Sequence, residues 1–186
     1  MAKLPHYTNS TAAVNKWEPV YTSLFEVTII PPPSISGGPI LLEHVNKITG
    51  LDTELGEEET VQKFKFAKRS FLQAVPTDTV VTLGISFSLN LNDNLQNYVY
   101  NTLRDWKRLG YNPLTGEQGL KKDYAGGKII VTQTNRVGDI HMQRIFHDVF
   151  IIGNLPTITD LDYENGEAFA MDDVQFRSDY WTEISL

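Results

Sequence analysis

Two histidines, His141 and His147, stand close together in the sequence and are flanked by Asp139 and Asp148. Imidazole and carboxylate groups in such proximity can bind a metal ion or exchange protons with a substrate. Both histidines fall in a stretch with the composition of a β-strand, where six residues span about 20 Å at about 3.3 Å per residue. That separation is too long for two ligands of one ion. A hydrolase that uses either histidine stays an alternative, which alanine at each position would test.

Other catalytic patterns are absent from the sequence. The chain has no cysteine, which excludes disulfides, thiolate zinc sites, iron–sulfur clusters and cysteine nucleophiles. It contains no Walker loop, dinucleotide fingerprint, His-Glu-x-x-His motif or nucleophile elbow. Gly126-Gly127 precedes a predicted strand and not a helix, which is the wrong context for holding a phosphate. The sequence therefore predicts a non-enzymatic protein without catalytic, cofactor-binding or metal-binding residues.

A more informative pattern is a run of acids followed closely by bases, between residues 52 and 69. One interpretation is two solvated faces of a long hairpin. The other is an arm whose acidic tip meets a basic patch on an identical neighbour, since complementary charges set register and specificity. The candidate interface residues are Asp52, Glu54, Glu57, Glu58, Glu59, Lys63, Lys65, Lys68 and Arg69.

The whole chain is acidic, with 16 Lys and Arg against 23 Asp and Glu and a formal net charge of −7. Such a balance argues against a surface-wide affinity for nucleic acid, because phosphate binding depends on Lys and Arg. The length of 186 residues suits one domain with a single core. We expect no signal peptide and no membrane span, because no apolar stretch is long enough.

Strand signals dominate the chain. β-Branched and aromatic residues predict strands at 24–30, 40–51, 61–66, 128–134, 140–152 and 169–184. The clearest strand is 81–91, where Val81, Leu83, Ile85 and Phe87 share one face and small uncharged residues share the other. This alternation is typical of an antiparallel strand with one buried face. The stretches 111–127 and 153–165 are predicted loops.

One helix, at about 93–109, interrupts the strands. Asp93 and Gln96 form a capping box, and Gly110 suits the left-handed position that ends a helix. Apolar residues recur at helical spacing up to Trp106, which predicts a helix docked by one face. The predicted fold is therefore a two-sheet antiparallel β-sandwich or barrel with one flanking helix. We expect one domain over 1–186, with an N-terminal extension at about 1–16 and an inter-subunit arm at about 51–71.

Several segments together resemble the tail-tube proteins of tailed bacteriophages, in particular those of long contractile tails. The segments are Trp17 with Tyr21 and Leu24-Phe25-Glu26-Val27, Lys63-Phe64-Lys65-Phe66-Ala67, Arg104-Asp105-Trp106, and Val174-Gln175-Phe176-Arg177-Ser178-Asp179-Tyr180-Trp181. The resemblance implies homohexameric rings that stack into a tube, with long strands lining a channel for DNA. On this resemblance, 81–91 would be a strand in the wall of the tube, and 51–71 would be a loop that reaches a neighbouring copy. The proline-rich loop 31–39 and the first 16 residues depart from the pattern.

On this basis we expect a structural subunit of a phage tail tube, through which viral DNA passes into the host without specific binding. Its partners would be copies of itself, the tail sheath, the baseplate and a tail terminator, without membrane insertion. It would assemble in the host cytoplasm and reside in the virion tail. An acidic channel would repel DNA phosphates. The alternatives are a tube subunit of a contractile injection or secretion system, a tube initiator or terminator, and, more remotely, a carbohydrate-binding β-sandwich module.

Overall fold

The computed structural model describes residues 21–36, 38–51, 58–64, 67–73, 80–88, 98–153, 155 and 170–185. Its strands are β1 (Phe25–Ile30), β2 (Val45–Thr49), β3 (Glu58–Phe64), β4 (Ala67–Gln73), β5 (Val81–Ser88), β6 (Gly127–Thr134), β7 (Ile140–Ile151), β8 (Ala170–Ser178) and β9 (Tyr180–Ser185). The helices are α1 (Tyr98–Gly110) and the short α2 (Lys121–Tyr124), and a 3₁₀ turn spans Leu42–His44. The predicted fold class, mainly β with one principal helix, is confirmed.

Seven of the strands form one antiparallel sheet in the order β1-β6-β7-β8-β5-β2, with β9 also paired to β7. The sheet is folded into two halves. We call β1, β6, β9 and the first part of β7 sheet A, and β2, β5, β8 and the end of β7 sheet B. The inner faces of both halves contribute to one hydrophobic core.

The two halves share strands at a corner. β8 and β9 run along β7 in one continuous register, from Ile151 opposite Phe176 to Met142 opposite Ser185. At the corner Asp148 has a φ of 50°, and β6 meets β7 there with a register shift. The buried Ser178 hydroxyl lies 2.7 Å from the carbonyl oxygen of His147 and so ties the two strands together.

The corner corrects the prediction of one regular strand at 169–184. Val174 and Phe176 are buried, whereas Tyr180 and Ile184, which one regular strand would place on the same face, are 45% and 46% exposed. The side facing the core changes at Asp179, because both strands turn from one half of the sheet into the other. Trp181 packs against the core in place of Tyr180.

Helix α1 closes the core through Val99, Leu103 and Trp106, all essentially buried. The Trp106 ring centroid lies 5.7 Å from that of Phe176. Its indole N–H donates to the carbonyl oxygen of Tyr124 at 2.8 Å, which fixes α2 against α1. The predicted helix is confirmed from Tyr98 onward, while 93–97 lie outside the described residues.

Gly127, at the start of β6, provides a first test of this packing. A Cβ on this residue would clash with the six-membered ring of Trp106. We expect Gly127→Ala to lower the free energy of unfolding by about 1–3 kcal/mol, as overpacking of a core does. Urea unfolding followed by tryptophan fluorescence would measure the loss. The neighbouring Gly126→Ala is the control, because its Cβ would meet Pro33 at an ordinary 3.5 Å. Equal stability of the two variants would contradict the packing described here.

The other strand predictions are confirmed in part. Strand 24–30 is β1, 81–91 is β5 within its described residues, and the hairpin of 128–134 and 140–152 is β6–β7. The predicted strand 40–51 is shorter, because a 3₁₀ turn precedes β2. The predicted loop 111–127 contains α2, which the sequence pattern did not predict.

In the described parts of the chain, no helix is long and apolar enough to cross a membrane.

Candidate assembly surfaces

The predicted arm contains a β-hairpin that forms its own two-stranded sheet. β3 and β4 pair in register from Glu58 opposite Gln73 to Phe64 opposite Ala67. Within the described residues, neither strand pairs with the seven-stranded sheet. Because an isolated two-stranded hairpin is marginally stable in water, this one is suited to gaining contacts from another chain.

The hairpin holds five of the nine predicted interface residues. Glu58, Glu59 and Lys63 lie in β3, and Lys68 and Arg69 lie in β4. Asp52, Glu54, Glu57 and Lys65 lie outside the described residues. The predicted strand 61–66 corresponds to β3 as far as Phe64, and residues 65 and 66 lie outside the described residues.

The register corrects the prediction of an acidic tip. The chain reverses between Phe64 and Ala67, so Lys63 and Lys68 stand beside the reversal, while Glu58 and Glu59 stand at the opposite end. Lys63 and Lys68 occupy directly opposite positions, with Arg69 next in register. Like charges directly opposite one another destabilise a strand pair. Three basic residues of the sequence therefore stand at the positions nearest the reversal of the hairpin.

Sheet A presents two open edges. β9 pairs with β7 on one side, and no described strand pairs with its other side. β1 pairs with β6, and on its outer side Ile29 exchanges two backbone hydrogen bonds with Ile40, of 2.9 and 2.8 Å. From Phe25 to Val27 that outer side pairs with no described strand. Open edges carry unpaired N–H and C=O groups that can pair with another chain.

The outer face of sheet A is almost free of charge. Cross-strand pairing aligns two rows of side chains on it, one of Thr28, Ile130, Ile145 and Thr182 and one of Glu26, Thr132, Gln143 and Ile184. Hydrogen bonds within the face include Gln143 Nε2 to Thr132 Oγ1 at 3.1 Å. Lys128 stands opposite Ile30, two cross-strand rows away from Glu26. The ion pair of Arg144 with Glu183, at 2.7 Å, belongs to the opposite face.

The small uncharged face of β5 is used for packing. A Cβ at Gly84 would clash with the Asp173 carboxylate and approach Thr49 Oγ1 to 2.6 Å. Ser86 Oγ accepts from the Asp173 backbone N–H at 3.3 Å, and Ser88 Oγ donates to Asn46 at 2.9 Å. This face therefore mainly joins β2, β5 and β8.

The two histidines both lie on β7 but do not form a ligand cluster. His147 stacks on Tyr180 with ring centroids 4.7 Å apart, and its Nε2 lies 3.1 Å from Thr182 Oγ1. Among the described residues, no group of three His, Asp or Glu side chains is placed to hold a metal ion. His147 instead belongs to the packing at the edge of sheet A.

A cleft of about 440 Å³ lies where α1, α2 and the end of β7 meet. Lys107 Nζ donates to the Ile151 carbonyl oxygen at 3.3 Å, and partial burial lowers the pKa of this amine. At the nearby surface Lys121 contacts Asp179 at 2.5 Å, and this hydrogen bond raises the pKa of Lys121. These contacts join α1 and α2 to the corner of the sheet.

The chain has the fold of proteins from contractile injection systems. It aligns with the tube-terminating cap of the anti-feeding prophage at a TM-score of 0.56 and 13% identity, over 94% of this chain and 99% of the cap. A chain of the sheath–tube complex of the extracellular injection system PVC gives 0.57 and 14%, over 95% and 99%. A chain of the anti-feeding prophage baseplate gives 0.53 and 10%, over 91% and 97%.

Neither protein-family models nor curated protein sequences give a match. At 10–14% identity these alignments establish a shared fold. The predicted resemblance to tube proteins is supported at this level, and the aligned structures come from injection systems.

Proposed function

We propose that this chain is a structural subunit of the tube of a contractile injection system. The observation that carries the proposal is sheet A, whose edge strands β9 and β1 (from Phe25 to Val27) pair on their outer sides with no strand among the described residues. Edge-to-edge pairing closes a sheet into a barrel and removes its edges. The fold shared with tube and cap chains of injection systems supports this reading. No catalytic role is part of the proposal.

In the proposed assembly, β9 of one copy pairs with β1 of the next until a ring closes. The resemblance to tail-tube proteins implies six copies in each ring. The β3–β4 hairpin extends from the main sheet and contacts a copy in the same ring or the adjacent one. Its basic end would meet acidic residues of that copy, among which are Glu58 and Glu59. A sheath and a baseplate are the expected partners of the finished tube.

Two related functions share this architecture. The first is a phage tail tube, which would carry DNA and which the sequence pattern alone favours. The aligned structures favour an injection system instead. A tube-terminating cap is the second candidate, because such a cap aligns over 99% of its own length. Quantitative mass spectrometry of the native particle distinguishes a tube subunit from a cap, since a tube subunit is abundant and a cap contributes few copies.

Negative-stain electron microscopy of the purified chain tests the proposal directly. We expect rings and stacked rods of uniform width at high protein concentration. A carbohydrate-binding module of this size would stay monomeric. A chain that remained monomeric at all concentrations, with its fold intact by circular dichroism, would contradict the proposed function.

A further inference from the structure

The outer side of β1 is already occupied over part of its length. The N–H and C=O groups of Ile29 both bond to Ile40, at 2.9 and 2.8 Å, so they point away from β6. Backbone groups of successive residues point to opposite sides of a strand in an antiparallel sheet. The N–H and C=O groups of Phe25 and Val27 therefore also point outward, and within the described residues they pair with no strand.

Ile40 directly follows the proline-rich loop 31–39, which is anchored on the rest of the subunit. The first two prolines of the loop are buried. Ser34 Oγ donates to the carbonyl oxygen of Asp123, on α2, at 3.2 Å. Ile40 itself is fully buried. The loop therefore returns to β1 at a fixed place and covers the last part of its outer side.

The open side of β9 has a matching set of backbone groups. Continuing the alternation from β1 through β6 and β7 makes the groups of Trp181, Glu183 and Ser185 point away from β7. β1, β6, β7 and β9 alternate in direction along the sheet. In a closed ring of identical copies, β9 of one copy therefore meets β1 of the next in antiparallel orientation.

We infer that the loop 31–39, with Ile40, acts as a register stop for this contact. It allows one register, in which Phe25 of one copy lies opposite Glu183 of the next and Val27 lies opposite Trp181. This inference rests on the proposed function. In that register both open residues of β1 gain a hydrogen-bonding partner, and β9 ends its pairing where Ile40 begins.

The register stop excludes slippage toward the loop. A slip by one residue would turn every side chain of β9 to the other face of the sheet, so the competing registers differ by two residues. A slip of two toward the loop would put Trp181 opposite Ile29, where Ile40 already makes both hydrogen bonds. A slip of two away from the loop would put Asp179, at the corner, opposite Val27.

The side chains favour the same register. Val27 is fully buried and Trp181 packs against the core, so both lie on the core side of the sheet. Cross-strand pairs of an aromatic and a β-branched residue are stabilising. A two-residue slip in either direction would replace Trp181 opposite Val27 by a carboxylate, that of Glu183 or of Asp179.

Disulfide formation between copies tests the register, because the chain contains no native cysteine. Glu26→Cys with Thr182→Cys places two thiols at directly opposite, non-hydrogen-bonded positions, where the Cα atoms are about 4.5 Å apart and within disulfide range. Thr28→Cys with Thr182→Cys is the matched control, since these positions are diagonal, about 7–8 Å apart, and beyond that range. Within one copy β6 and β7 separate β1 from β9 by about 14 Å, so every link joins two copies.

In mildly oxidised rods we expect the first pair to give a ladder of covalent oligomers, at least about tenfold stronger than that of the control pair, because disulfide geometry is specific. Leu24→Cys with Thr182→Cys reports a slip away from the loop and should also link weakly. Intact rods in which the Glu26 and Thr182 positions failed to link, or linked less than either other pair, would overturn the register. Failure of the unsubstituted chain to form rings would instead count against the proposed function.

Ile40→Pro tests the loop as the cause of this register. Proline has no N–H to donate to the Ile29 carbonyl oxygen, so the loop loses one of its two bonds to β1. We expect linking of the Thr28 and Thr182 positions to rise at least about threefold in this background, since slippage is then less restricted. Circular dichroism serves as the folding control. An unchanged linking pattern in a folded variant would overturn the role of the loop, and the pairs in the native background decide the register independently of this variant.

Discussion

Trp106→Ala is expected to lower the free energy of unfolding by about 3–5 kcal/mol, the range for removing a large buried aromatic side chain. The Trp106 side chain is essentially buried and packs on Phe176 of sheet B and on Gly127 of sheet A. It thus joins α1 to both halves of the sheet. Loss of the indole also leaves the Tyr124 carbonyl oxygen without its N–H donor. Chemical unfolding monitored by circular dichroism measures the loss.

Two further variants separate the contributions of Trp106. Trp106→Phe keeps most of the packing and removes the hydrogen bond, so we expect a loss of about 1–3 kcal/mol, typical of an unsatisfied buried acceptor together with a smaller ring. Trp181→Phe is the matched control, since Trp181 is only partly buried beside the core. A Trp106→Ala variant no less stable than Trp181→Phe would contradict the role of Trp106 in closing the core.

Reversing the basic end of the hairpin is expected to impair rod growth while leaving the subunit folded. Lys63→Glu/Lys68→Glu/Arg69→Glu removes the proposed partner of the acidic residues on a neighbouring copy. Exposed ion pairs contribute less than about 1 kcal/mol to folding, but the contact recurs in every subunit of a rod. We expect the protein concentration needed for rods to rise at least about tenfold, because like charges at an interface suppress association. Sedimentation and negative stain measure it.

The acidic side of the contact provides the complementary experiment. Glu57→Lys/Glu58→Lys/Glu59→Lys should impair rods in the same way, and a mixture of the acidic and basic variants should recover them in part, because each then meets an opposite charge. Thermal unfolding serves as the folding control for both variants. Normal rods from either triple variant would rule out a role of these residues in assembly.

The strands and α1 could be predicted because their side-chain patterns are local. The alternation of Val81, Leu83, Ile85 and Phe87 specifies a half-buried strand, and all but the half-buried Val81 are fully buried. The apolar stripe that ends at Trp106 likewise specifies a docked helix. Such patterns depend on neighbours in sequence and need no knowledge of the partner strand.

The corner and the outer face of sheet A were not predictable in this way. The change of core-facing side at Asp179 depends on β7, which is distant in sequence and turns at Asp148. Alternation continued through Asp179 would put Tyr180 and Ile184 on the side of Val174 and Phe176, whereas both are largely exposed. The outer face of sheet A is built from four strands, β1, β6, β7 and β9, whose order only the fold reveals.

The corner also has a mechanical consequence. β7 crosses from one half of the sheet into the other, and β8 and β9 follow it in one register on either side of Asp179, with Ser178 tying the strands at the bend. A pulling force on sheet A is therefore carried into sheet B along covalent backbone and in-register hydrogen bonds, and not through side-chain packing alone. In a tube that is pushed against resistance, contacts between neighbouring subunits would therefore break before the two halves of the sheet within one subunit separate.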